Sequence, residues 1–357
     1  MKVLTVVGAR PQFIKASVLG KELQRQGCEE CLVHTGQHYD HNMSKVFFDG
    51  LNIRNPDHYL GVGSATHALQ TAQIMMRLEP VILKERPDIV LVYGDTNSTL
   101  AGALVAAKLN IPVAHVEAGL RSFNRQMPEE MNRVVADHVS SFHFAPTATA
   151  VAQLRHEGIE QGVYLVGDLM VDLVRSTVTT LPEKPSIMER FRLIPGSYAV
   201  ATIHRPANTD NQANFRSILE GMKLLDFPVI FPAHPRTLPL ARCAVQGNVT
   251  ICEPLPYADM IALEAHARVI LTDSGGIQKE ALVLRVPCVT LRTETEWVET
   301  LESGWNVLVG ADSSLIARYA ARGRPSKEPA EHYGDGKTAK RIVDILLSAL
   351  ITKKAIA

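Results

Sequence analysis

The stretch Val3-Leu4-Thr5-Val6-Val7-Gly8-Ala9-Arg10-Pro11-Gln12-Phe13-Ile14-Lys15-Ala16 has the pattern of a buried strand that passes through one glycine into a helix. Residues 3–7 show no regular polar alternation, as expected of a parallel strand covered on both faces. A phosphate often binds at such a junction, beside the helix N-terminus. However, the stretch has neither the three glycines of a dinucleotide fingerprint nor the Gly-Lys-Ser/Thr of a P-loop. It therefore predicts an α/β fold and leaves the ligand open.

Similar apolar runs recur along the chain, each followed by a short turn and a longer helical pattern. The runs cover residues 3–7, 31–34, 89–93, 113–116, 199–203, 229–231, 269–271 and 288–291. Alternation of strand and helix predicts doubly wound parallel sheets. The stiff connector Leu181-Pro182-Glu183-Lys184-Pro185-Ser186 separates the runs into two sets. We therefore expect two Rossmann-like domains.

Composition excludes several classes of partner. The 357 residues are 46% hydrophobic, and 37 basic residues balance 37 acidic ones, so nothing favours nucleic acid or an anionic membrane. The five cysteines lack the spacing of a zinc site, and we interpret them as reduced structural thiols without a metal. The sequence opens on a strand rather than a charged signal region, and no apolar run approaches roughly 18 residues. We therefore expect a cytoplasmic protein.

Acidic residues follow two successive predicted strands. Asp95 is the second residue after the third apolar run, and Glu117 comes directly after the fourth. Because ligands bind at the carboxyl ends of parallel strands, we expect the two carboxylates to converge on one crevice. Each has a structural alternative, since Asp95 could cap a helix beginning near Asn97 and Glu117 could pair with Arg121. Their occurrence at successive strand ends favours a catalytic role.

A third acidic candidate lies in Met127-Pro128-Glu129-Glu130-Met131-Asn132-Arg133. Proline and acids are ordinary in the first turn of a helix, so the pattern alone favours helix capping. Glu129 stays a candidate because it follows Glu117 closely in sequence.

The second half of the chain has its own junction, Leu271-Thr272-Asp273-Ser274-Gly275-Gly276-Ile277-Gln278-Lys279-Glu280-Ala281. Gly275 and Gly276 would let a phosphate approach the backbone N–H groups at a helix N-terminus, and Ser274 adds a hydroxyl. Glu280, one turn inside the helix, could accept hydrogen bonds from ribose hydroxyls. A plain tight turn is the alternative. Two junctions, one in each half, indicate a nucleotide anchored by the second domain and reaching the first.

Two histidines also follow strand ends, His204 in Ile203-His204-Arg205-Pro206 and His234 in Phe231-Pro232-Ala233-His234-Pro235-Arg236. A lone histidine is usually structural, but a histidine beside an arginine at a strand end suits a diphosphate. We interpret His204 as functional and leave the role of His234 open.

At these residues the chain resembles the non-hydrolysing UDP-N-acetylglucosamine 2-epimerases over nearly its whole length. The motifs that carry the resemblance are Gly8-Ala9-Arg10-Pro11-Gln12-Phe13-Ile14-Lys15, His34-Thr35-Gly36-Gln37-His38, Gly94-Asp95-Thr96, His115-Val116-Glu117-Ala118-Gly119-Leu120-Arg121, Pro128-Glu129-Glu130, His204-Arg205, Thr272-Asp273-Ser274-Gly275-Gly276-Ile277-Gln278 and Tyr333-Gly334-Asp335-Gly336. The resemblance implies a glycosyltransferase-B arrangement of two Rossmann-like domains with the active site in the interdomain cleft. It implies a catalytic domain of residues 1–175 completed by a C-terminal helix at about 338–357, and a UDP-binding domain of residues 176–337.

The implied reaction inverts C2 of a UDP-sugar without a cofactor. A base takes the C2 proton while UDP leaves C1, and UDP then adds back as a proton reaches the other face of C2. The motifs make Asp95, Glu117 and Glu129 the acid/base candidates and His204 the partner of the leaving diphosphate. The UDP-sugar contacts implied by the same motifs are Arg10, Lys15, His204, Ser274, Gly275, Gly276 and Glu280, with Leu255 and Met260 beside the uracil.

Two motifs depart from the common family pattern. Gly8-Ala9-Arg10-Pro11-Gln12 stands where many members have Gly-Thr-Arg-Pro-Glu, and Thr295-Glu296-Trp297-Val298-Glu299 where many have Thr-Glu-Arg-Pro-Glu. The second change removes an arginine near the sugar diphosphate, for which Arg292 or Arg205 could substitute. The version with Gln12 and Trp297 resembles a branch containing UDP-2,3-diacetamido-2,3-dideoxyglucuronate 2-epimerases of lipopolysaccharide synthesis. We therefore expect a UDP-N-acetylglucosamine-type substrate for cell-surface polysaccharide synthesis, with the diacetamido uronate as the alternative.

Three other functions stay open at this level. They are a glycosyltransferase with an acceptor site, a hydrolysing epimerase that releases N-acetylmannosamine, and a nucleotide-sugar sensor without turnover. The resemblance further implies a homodimer, and we expect neither nucleic acid nor a membrane as a partner.

Overall fold

A computed structural model describes residues 1–37, 54–233, 237–238, 240–241 and 247–356, without the side chains of Arg10 and of residues 350–356. His234 and Cys243 therefore lie outside the described residues. The other cysteines, Cys28, Cys31, Cys252 and Cys288, are free thiols.

Helices and strands alternate through most of the described chain. In chain order the elements are β1 (Lys2–Val7), α1 (Arg10–Arg25), β2 (Glu29–His34), β3 (His58–Tyr59), α2 (His67–Glu85), β4 (Ile89–Tyr93), α3 (Asn97–Lys108), β5 (Val113–Val116), α4 (Pro128–Val139), β6 (Phe142–Ala145), α5 (Ala148–His156), β7 (Val163–Leu165), α6 (Leu169–Thr180), α7 (Ser186–Arg190), β8 (Ala199–Thr202), α8 (Pro206–Thr209), α9 (Gln212–Lys223), β9 (Val229–Pro232), β10 (Val249–Cys252), α10 (Tyr257–Ala265), β11 (Val269–Thr272), α11 (Gly275–Leu284), β12 (Cys288–Thr290), α12 (Glu299–Glu302), β13 (Asn306–Leu308), α13 (Ser313–Ala320) and α14 (Thr338–Ile356). None of these helices has the length and apolar content needed to span a bilayer. The chain divides into two compact units, Met1–Leu173 with the segment from His332 onward, and Val174–Glu331.

The first unit is built on a parallel sheet with the strand order β3-β2-β1-β4-β5-β6-β7 in the described residues. Alternate residues of its central strands face opposite layers, as the strand period of two requires. Val3, Val7 and Leu91 lie in one apolar cluster with α1 and α14, whereas Leu4 and Val6 lie in a second cluster with α2 and α3. The chain leaves β1 in one direction and returns to β4 on its other side. The switch point between β1 and β4 is therefore where a ligand is expected.

The second unit repeats this plan with the order β10-β9-β8-β11-β12-β13, also parallel throughout. Its switch point lies between β8 and β11, where Thr202 pairs in register with Thr272. The residues that follow these two strands, Ile203-His204 and Asp273-Ser274, consequently leave the sheet side by side.

Candidate active site

Gln12 links the segment after β1 to the end of β4, at the switch point of the first sheet. Its Oε1 accepts hydrogen bonds from the backbone N–H groups of Gly8 (2.7 Å) and Ala9 (3.0 Å). Its Nε2 donates to the carbonyl of Tyr93 (2.6 Å) and to Thr96 Oγ1 (2.9 Å). The N–H groups that would hold a phosphate in a P-loop are thus occupied by a buried side chain, which explains why this junction lacks a phosphate-binding motif.

Asp95 leaves β4 beside this junction and forms an ion pair with Arg133 on α4, at 2.5 Å between Oδ2 and Nη2. The helix α3 does begin at Asn97, but Thr96 is its N-cap residue, so the capping alternative for Asp95 is wrong. Burial raises the pKa of Asp95, Arg133 opposes that rise, and the negative charge of Glu117 adds to it. Asp95 therefore holds a proton more readily than an ordinary aspartate.

Glu117 follows β5 and forms an ion pair with Lys15 of α1, and both side chains are less than a tenth exposed. Its backbone lies in the left-handed region, with a φ of 70°. Such strain in a non-glycine residue is most common at functional sites. Arg121, the partner suggested by spacing, binds Asp137 and Glu157 instead, each at 2.7 Å. Glu117 and Asp95 are thus each paired with a buried cation, Glu117 with Lys15 and Asp95 with Arg133.

The two acids at the start of α4 have different environments. Glu130 is buried and accepts hydrogen bonds from Ser122 N–H (2.8 Å) and Phe123 N–H (2.9 Å), so it fixes the preceding loop. Glu129 is exposed, and its charge contributes to the raised pKa of Asp95. The structure therefore brings Glu129 into the electrostatic neighbourhood of Asp95.

A buried histidine supports the loop Gly94-Asp95 that follows β4. His115 Nδ1 contacts Asp137 Oδ1 at 2.7 Å, and its Nε2 contacts the carbonyl oxygen of Gly94 at 2.7 Å. Burial opposes charge on His115, but Asp137 outweighs this effect and raises the pKa of His115. With an acceptor at each ring nitrogen, the ring is suited to a cation beneath Asp95. His115 and Arg133 were not assigned roles from sequence, although both stand inside the quoted motifs.

Asp273 organises the switch point of the second sheet. It is fully buried and accepts hydrogen bonds from the backbone N–H groups of His204 and Arg205, both at 3.0 Å, and from Asn208 Nδ2 at 3.0 Å. His204 Nδ1 also lies 3.0 Å from Asp273 Oδ1. Burial acts to raise the pKa of Asp273, but these donors outweigh it and hold the pKa below its usual range. Sequence analysis quoted Asp273 without assigning it a role.

The loop His204-Arg205, which follows β8, lies beside a cluster of charges at the N-terminus of α11. Glu296 Oε2 pairs with Arg292 at 2.9 Å, and its Oε1 lies 3.6 Å from Arg205 Nη2. A Cβ on Gly275 would lie 2.5 Å from Glu296 Oε1, whereas a Cβ on Gly276 would meet nothing closer than 3.8 Å. The same Cβ on Gly275 would lie 2.9 Å from Nε1 of the buried Trp297, so packing favours glycine there, whereas Gly276 leaves open space beside the helix N-terminus. Arg205 and Arg292, the two arginines singled out from the sequence, therefore both contact the carboxylate of Glu296.

The remaining predicted contacts lie along α10 and α11. Leu255 and Met260 are partly buried against the apolar cluster that also includes Ile277. Glu280 accepts a hydrogen bond from Tyr257 O–H at 3.2 Å. Ser274 is the N-cap residue of α11. Arg10 begins α1, and its side chain and His234 lie outside the described part of the chain.

One group of potential metal ligands occurs among the described residues, at the edge of the first sheet. Side-chain atoms of Cys31, His58 and Glu85 lie within 4.8 Å of one another. Glu85 is already paired with Lys2 and with His58, each at 2.9 Å. Because the carboxylate has these two partners, we assign no metal to the cluster.

Two parallel α/β units, one with two carboxylates after neighbouring strands and one with arginines and a helix N-terminus at its switch point, indicate an enzyme that acts on a nucleotide-type ligand. A family model described as UDP-N-acetylglucosamine 2-epimerase matches residues 21–347. A UDP-N-acetylglucosamine 2-epimerase homolog of Methanococcus maripaludis is 46% identical over 97% of this chain and 99% of that protein. The chain therefore belongs to the UDP-N-acetylglucosamine 2-epimerase family, whose members are isomerases.

Two further relatives bear on substrate and fold. A UDP-2,3-diacetamido-2,3-dideoxy-D-glucuronate 2-epimerase of Pseudomonas aeruginosa is 45% identical over 97% of this chain and 99% of that protein. The crystal structure of Methanocaldococcus jannaschii UDP-GlcNAc 2-epimerase, in complex with UDP-GlcNAc and UDP, is 42% identical and matches with a TM-score of 0.86. That match covers 98% of this chain and all of the other. The predicted family and α/β fold class are confirmed, and the fold is of the glycosyltransferase-B type.

Proposed function

We propose that the protein inverts C2 of a UDP-N-acetylhexosamine, of the UDP-N-acetylglucosamine to UDP-N-acetylmannosamine type, by eliminating UDP and adding it back. The observation that carries this proposal is the pair of carboxylates Asp95 and Glu117, which follow the neighbouring strands β4 and β5 and are each paired with a cation. Two neighbouring carboxyl groups can supply the base and the acid of a proton-transfer reaction. Membership of the epimerase family supports the reaction type.

The proton steps place one carboxylate on each face of C2. Glu117, paired with Lys15, takes the C2 proton as the C1–O bond breaks, and a C1–C2 double bond forms. Asp95, which retains a proton more readily, delivers one to the opposite face of C2 as UDP adds back. In the reverse direction the two carboxylates exchange roles. Glu129, exposed at the start of α4, is the third candidate for proton exchange with solvent.

The leaving diphosphate needs positive charge because the C2 proton is only weakly acidic. Arg205 and Arg292 supply it at the second switch point, together with the N-terminus of α11, and the imidazole of His204 adds a hydrogen-bonding group. Gly276 leaves room for a phosphate oxygen to reach the backbone there. The second unit thus binds UDP, with Leu255 and Met260 beside the base, and the first unit provides the acid/base groups.

Deuterium incorporation tests the proposal. Incubation with UDP-N-acetylglucosamine in deuterated water should give product and recovered substrate that carry deuterium at C2, observed by NMR. Asp95→Asn should abolish formation of the inverted, C2-deuterated product while UDP affinity stays within about threefold, because Asp95 delivers the proton to the inverted face. Asp344→Asn, on a surface residue paired with Lys340, is the matched control and should exchange normally. An inverted product without solvent deuterium at C2 would sink the proposal.

The same experiment separates the other functions. A glycosyltransferase would show no C2 exchange with the nucleotide sugar alone. A hydrolysing epimerase would accumulate UDP in proportion to turnover. A sensor would bind UDP-sugars tightly and turn over none of those tested.

The diacetamido uronate is the second candidate substrate, supported by the 45% identical Pseudomonas aeruginosa relative and by Trp297. The indole of Trp297 lies beside Gly275, and many family members have an arginine at the position of Trp297. Both substrates should be compared side by side by NMR of the product. Inversion of the uronate alone would replace the first substrate assignment by the second. We also propose a homodimer, which light scattering would detect as twice the 39.2 kDa of one chain.

A further inference from the structure

One buried carboxylate on α4 holds the turn that carries Glu117. Asp137 is 1% exposed, and its Oδ2 accepts hydrogen bonds from the backbone N–H of Gly119 at 3.1 Å and from Arg121 Nη1 at 2.7 Å. Gly119 lies two residues after Glu117, whose backbone has a φ of 70°. A Cβ on Gly119 would lie 2.4 Å from the carbonyl oxygen of Ala150, so the turn also packs closely against α5. Asp137 and α5 therefore fix this turn between them.

The other oxygen of Asp137 reaches the loop that carries Asp95, through His115 of β5. Asp137 Oδ1 lies 2.7 Å from His115 Nδ1, and His115 Nε2 lies 2.7 Å from the carbonyl oxygen of Gly94. Gly94 immediately precedes Asp95. The contacts of one carboxylate and one imidazole thus join the two loops that carry the proposed acid and base.

Both ring nitrogens of His115 face groups that only accept hydrogen bonds, a carboxylate and a carbonyl. A neutral imidazole carries one N–H, whereas an imidazolium carries two. His115 therefore completes both contacts only in its protonated form. Burial opposes this charge, but Asp137 outweighs burial and raises the pKa of His115. Burial likewise acts to raise the pKa of Asp137, but His115 and Arg121 outweigh it and lower that pKa.

The other charged and titratable groups around His115 are compatible with a cation there. The negative charge of Asp95, on the loop after β4, adds to the rise in the pKa of His115. Arg121 contacts the opposite oxygen of Asp137. His143 on β6 pairs in register with His115, and its Nε2 lies 2.8 Å from the backbone carbonyl oxygen of Asp137. His143 and Arg121 thus leave Asp137 Oδ1 to His115.

The helix α4 holds the Asp95 loop at two further points. Asn132 Nδ2 donates to the carbonyl oxygen of Asp95 at 3.0 Å, and Arg133 Nη2 donates to Asp95 Oδ2 at 2.5 Å. These two direct contacts add to the indirect contact from Asp137. Because Asp137 also binds the turn after β5, one helix fixes both loops.

We propose that His115 is a positioning residue of the epimerase reaction, which donates one hydrogen bond from each ring nitrogen and so fixes the loop of Asp95 relative to the turn of Glu117. The inference rests on the proposed function, because it takes these two carboxyl groups as the acid and the base. It assigns His115 to the geometry of proton transfer and not to contact with the substrate. Such geometry matters because a displacement of about 1 Å can lower a rate about 100-fold.

The kinetics of C2 inversion of UDP-N-acetylglucosamine, followed by NMR, test this role. His115→Phe keeps a ring and removes both hydrogen bonds, so kcat should fall about 100-fold. UDP affinity by calorimetry should stay within about threefold, because the proposed UDP site lies in the second unit. His156→Phe, on an exposed histidine at the end of α5, is the matched control and should leave kcat unchanged. Wild-type kcat in a folded His115→Phe would overturn the proposal.

Asp137→Asn separates the hydrogen bonds of His115 from its charge, and does not depend on the folding of His115→Phe. The amide oxygen can accept from Gly119 and Arg121. The amide N–H can donate to Nδ1 of a neutral His115, which keeps its own N–H for Gly94. Because every contact then persists, kcat should stay within about fivefold of the wild type. A loss of about 100-fold in this variant would contradict positioning by hydrogen bonds.

NMR of protein with isotope-labelled histidine observes the ring of His115 directly. At about pH 7 an ordinary histidine, with a pKa of about 6.5, is mostly neutral. Both ring nitrogens of His115 should nevertheless carry protons in the wild type, and Nδ1 should lose its proton in Asp137→Asn. A single ring proton on His115 in the wild type would refute the two donated hydrogen bonds.

The two proposals fail in distinguishable ways. If the wild-type protein exchanged no C2 proton with either UDP-sugar, the proposed function would fail, whatever the state of His115. Normal wild-type exchange together with wild-type kcat in a folded His115→Phe would refute the role of His115 alone.

Discussion

Replacement of Asp273 by asparagine should destabilise the second unit and weaken nucleotide binding together. The carboxylate accepts from two backbone N–H groups, from Asn208 and from the ring of His204. An amide keeps only one acceptor oxygen and turns an N–H donor toward one of these donors. One unsatisfied buried donor and one lost hydrogen bond to a charged group together cost roughly 2–5 kcal/mol. That is a large part of the stability of an ordinary domain.

Both tryptophans of the chain, Trp297 and Trp305, are buried in the second unit, so their fluorescence during urea denaturation reports on this unit. Asp273→Asn should lower the urea midpoint, and UDP should bind more weakly because the His204-Arg205 loop loses its anchor. Asp312→Asn is the matched control, since Asp312 caps an exposed helix end and asparagine caps equally well. Its midpoint should not change.

Acid provides a second test of the same residue. The pKa of Asp273 is lowered in the folded protein, so its contribution is present above its unfolded pKa of about 4 and is lost as pH falls through the folded value. The stability difference between wild type and Asp273→Asn should therefore shrink at low pH. An unchanged midpoint at neutral pH, or a difference independent of acid, would refute the assigned role.

Three further variants test other parts of the structure. Gly276→Ala should keep the unfolding free energy within about 0.5 kcal/mol yet weaken UDP binding at least tenfold by calorimetry. Gly275→Ala should lose about 1–3 kcal/mol, because its Cβ would lie 2.9 Å from Nε1 of the buried Trp297 as well as 2.5 Å from Glu296 Oε1. Equal binding losses without a stability difference would contradict this. Glu264 on α10 is fully buried, and this burial raises its pKa in the folded protein. The stability of the wild type relative to Glu264→Gln should therefore fall by about 1.4 kcal/mol per pH unit above roughly pH 5, measured by urea denaturation at several pH values. A difference that does not change with pH would contradict the raised pKa of Glu264. Gln12→Leu should lower the free energy of unfolding, measured by circular dichroism, by about 2–4 kcal/mol, because two buried backbone donors lose their acceptor. Wild-type stability in this variant would contradict that hydrogen-bond pattern.

The fold class was predictable because central parallel strands are buried on both faces and read as apolar runs. Those runs correspond to interior strands of both sheets, among them β1, β4, β8 and β11. The interior strand β6 was missed because the buried His143 interrupts its apolar pattern. The edge strands β3, β7, β10 and β13 were not singled out. They are short and partly exposed, so their residues carry no continuous apolar pattern, and only pairing with a neighbour defines them as strands.

The candidate residues were predictable in type and approximate place, because strand ends and helix starts are local features. Asp95 and Glu117 were expected at neighbouring strand ends and lie near each other, while their catalytic roles stay predictions. The spacing-based partners were wrong, since Thr96 caps α3 and Arg121 does not bind Glu117. A side chain that could pair with a close neighbour in the sequence can instead pair with a residue that folding brings from a distant part of the chain.

The sequence by itself determined the parallel α/β architecture, the family and the strand ends where functional residues stand. Only the tertiary structure decided which charged side chains pair with each other. Lys15 reaches Glu117 across 102 positions, and Asp273 holds a loop 69 positions before it. Stretch 3–16 shows the same division, since its strand and helix are local, whereas Gln12 closes the junction only because β4 lies beside β1. Hydrogen bonds and ion pairs act over a few ångströms, so they depend on the neighbours that the folded sheet provides.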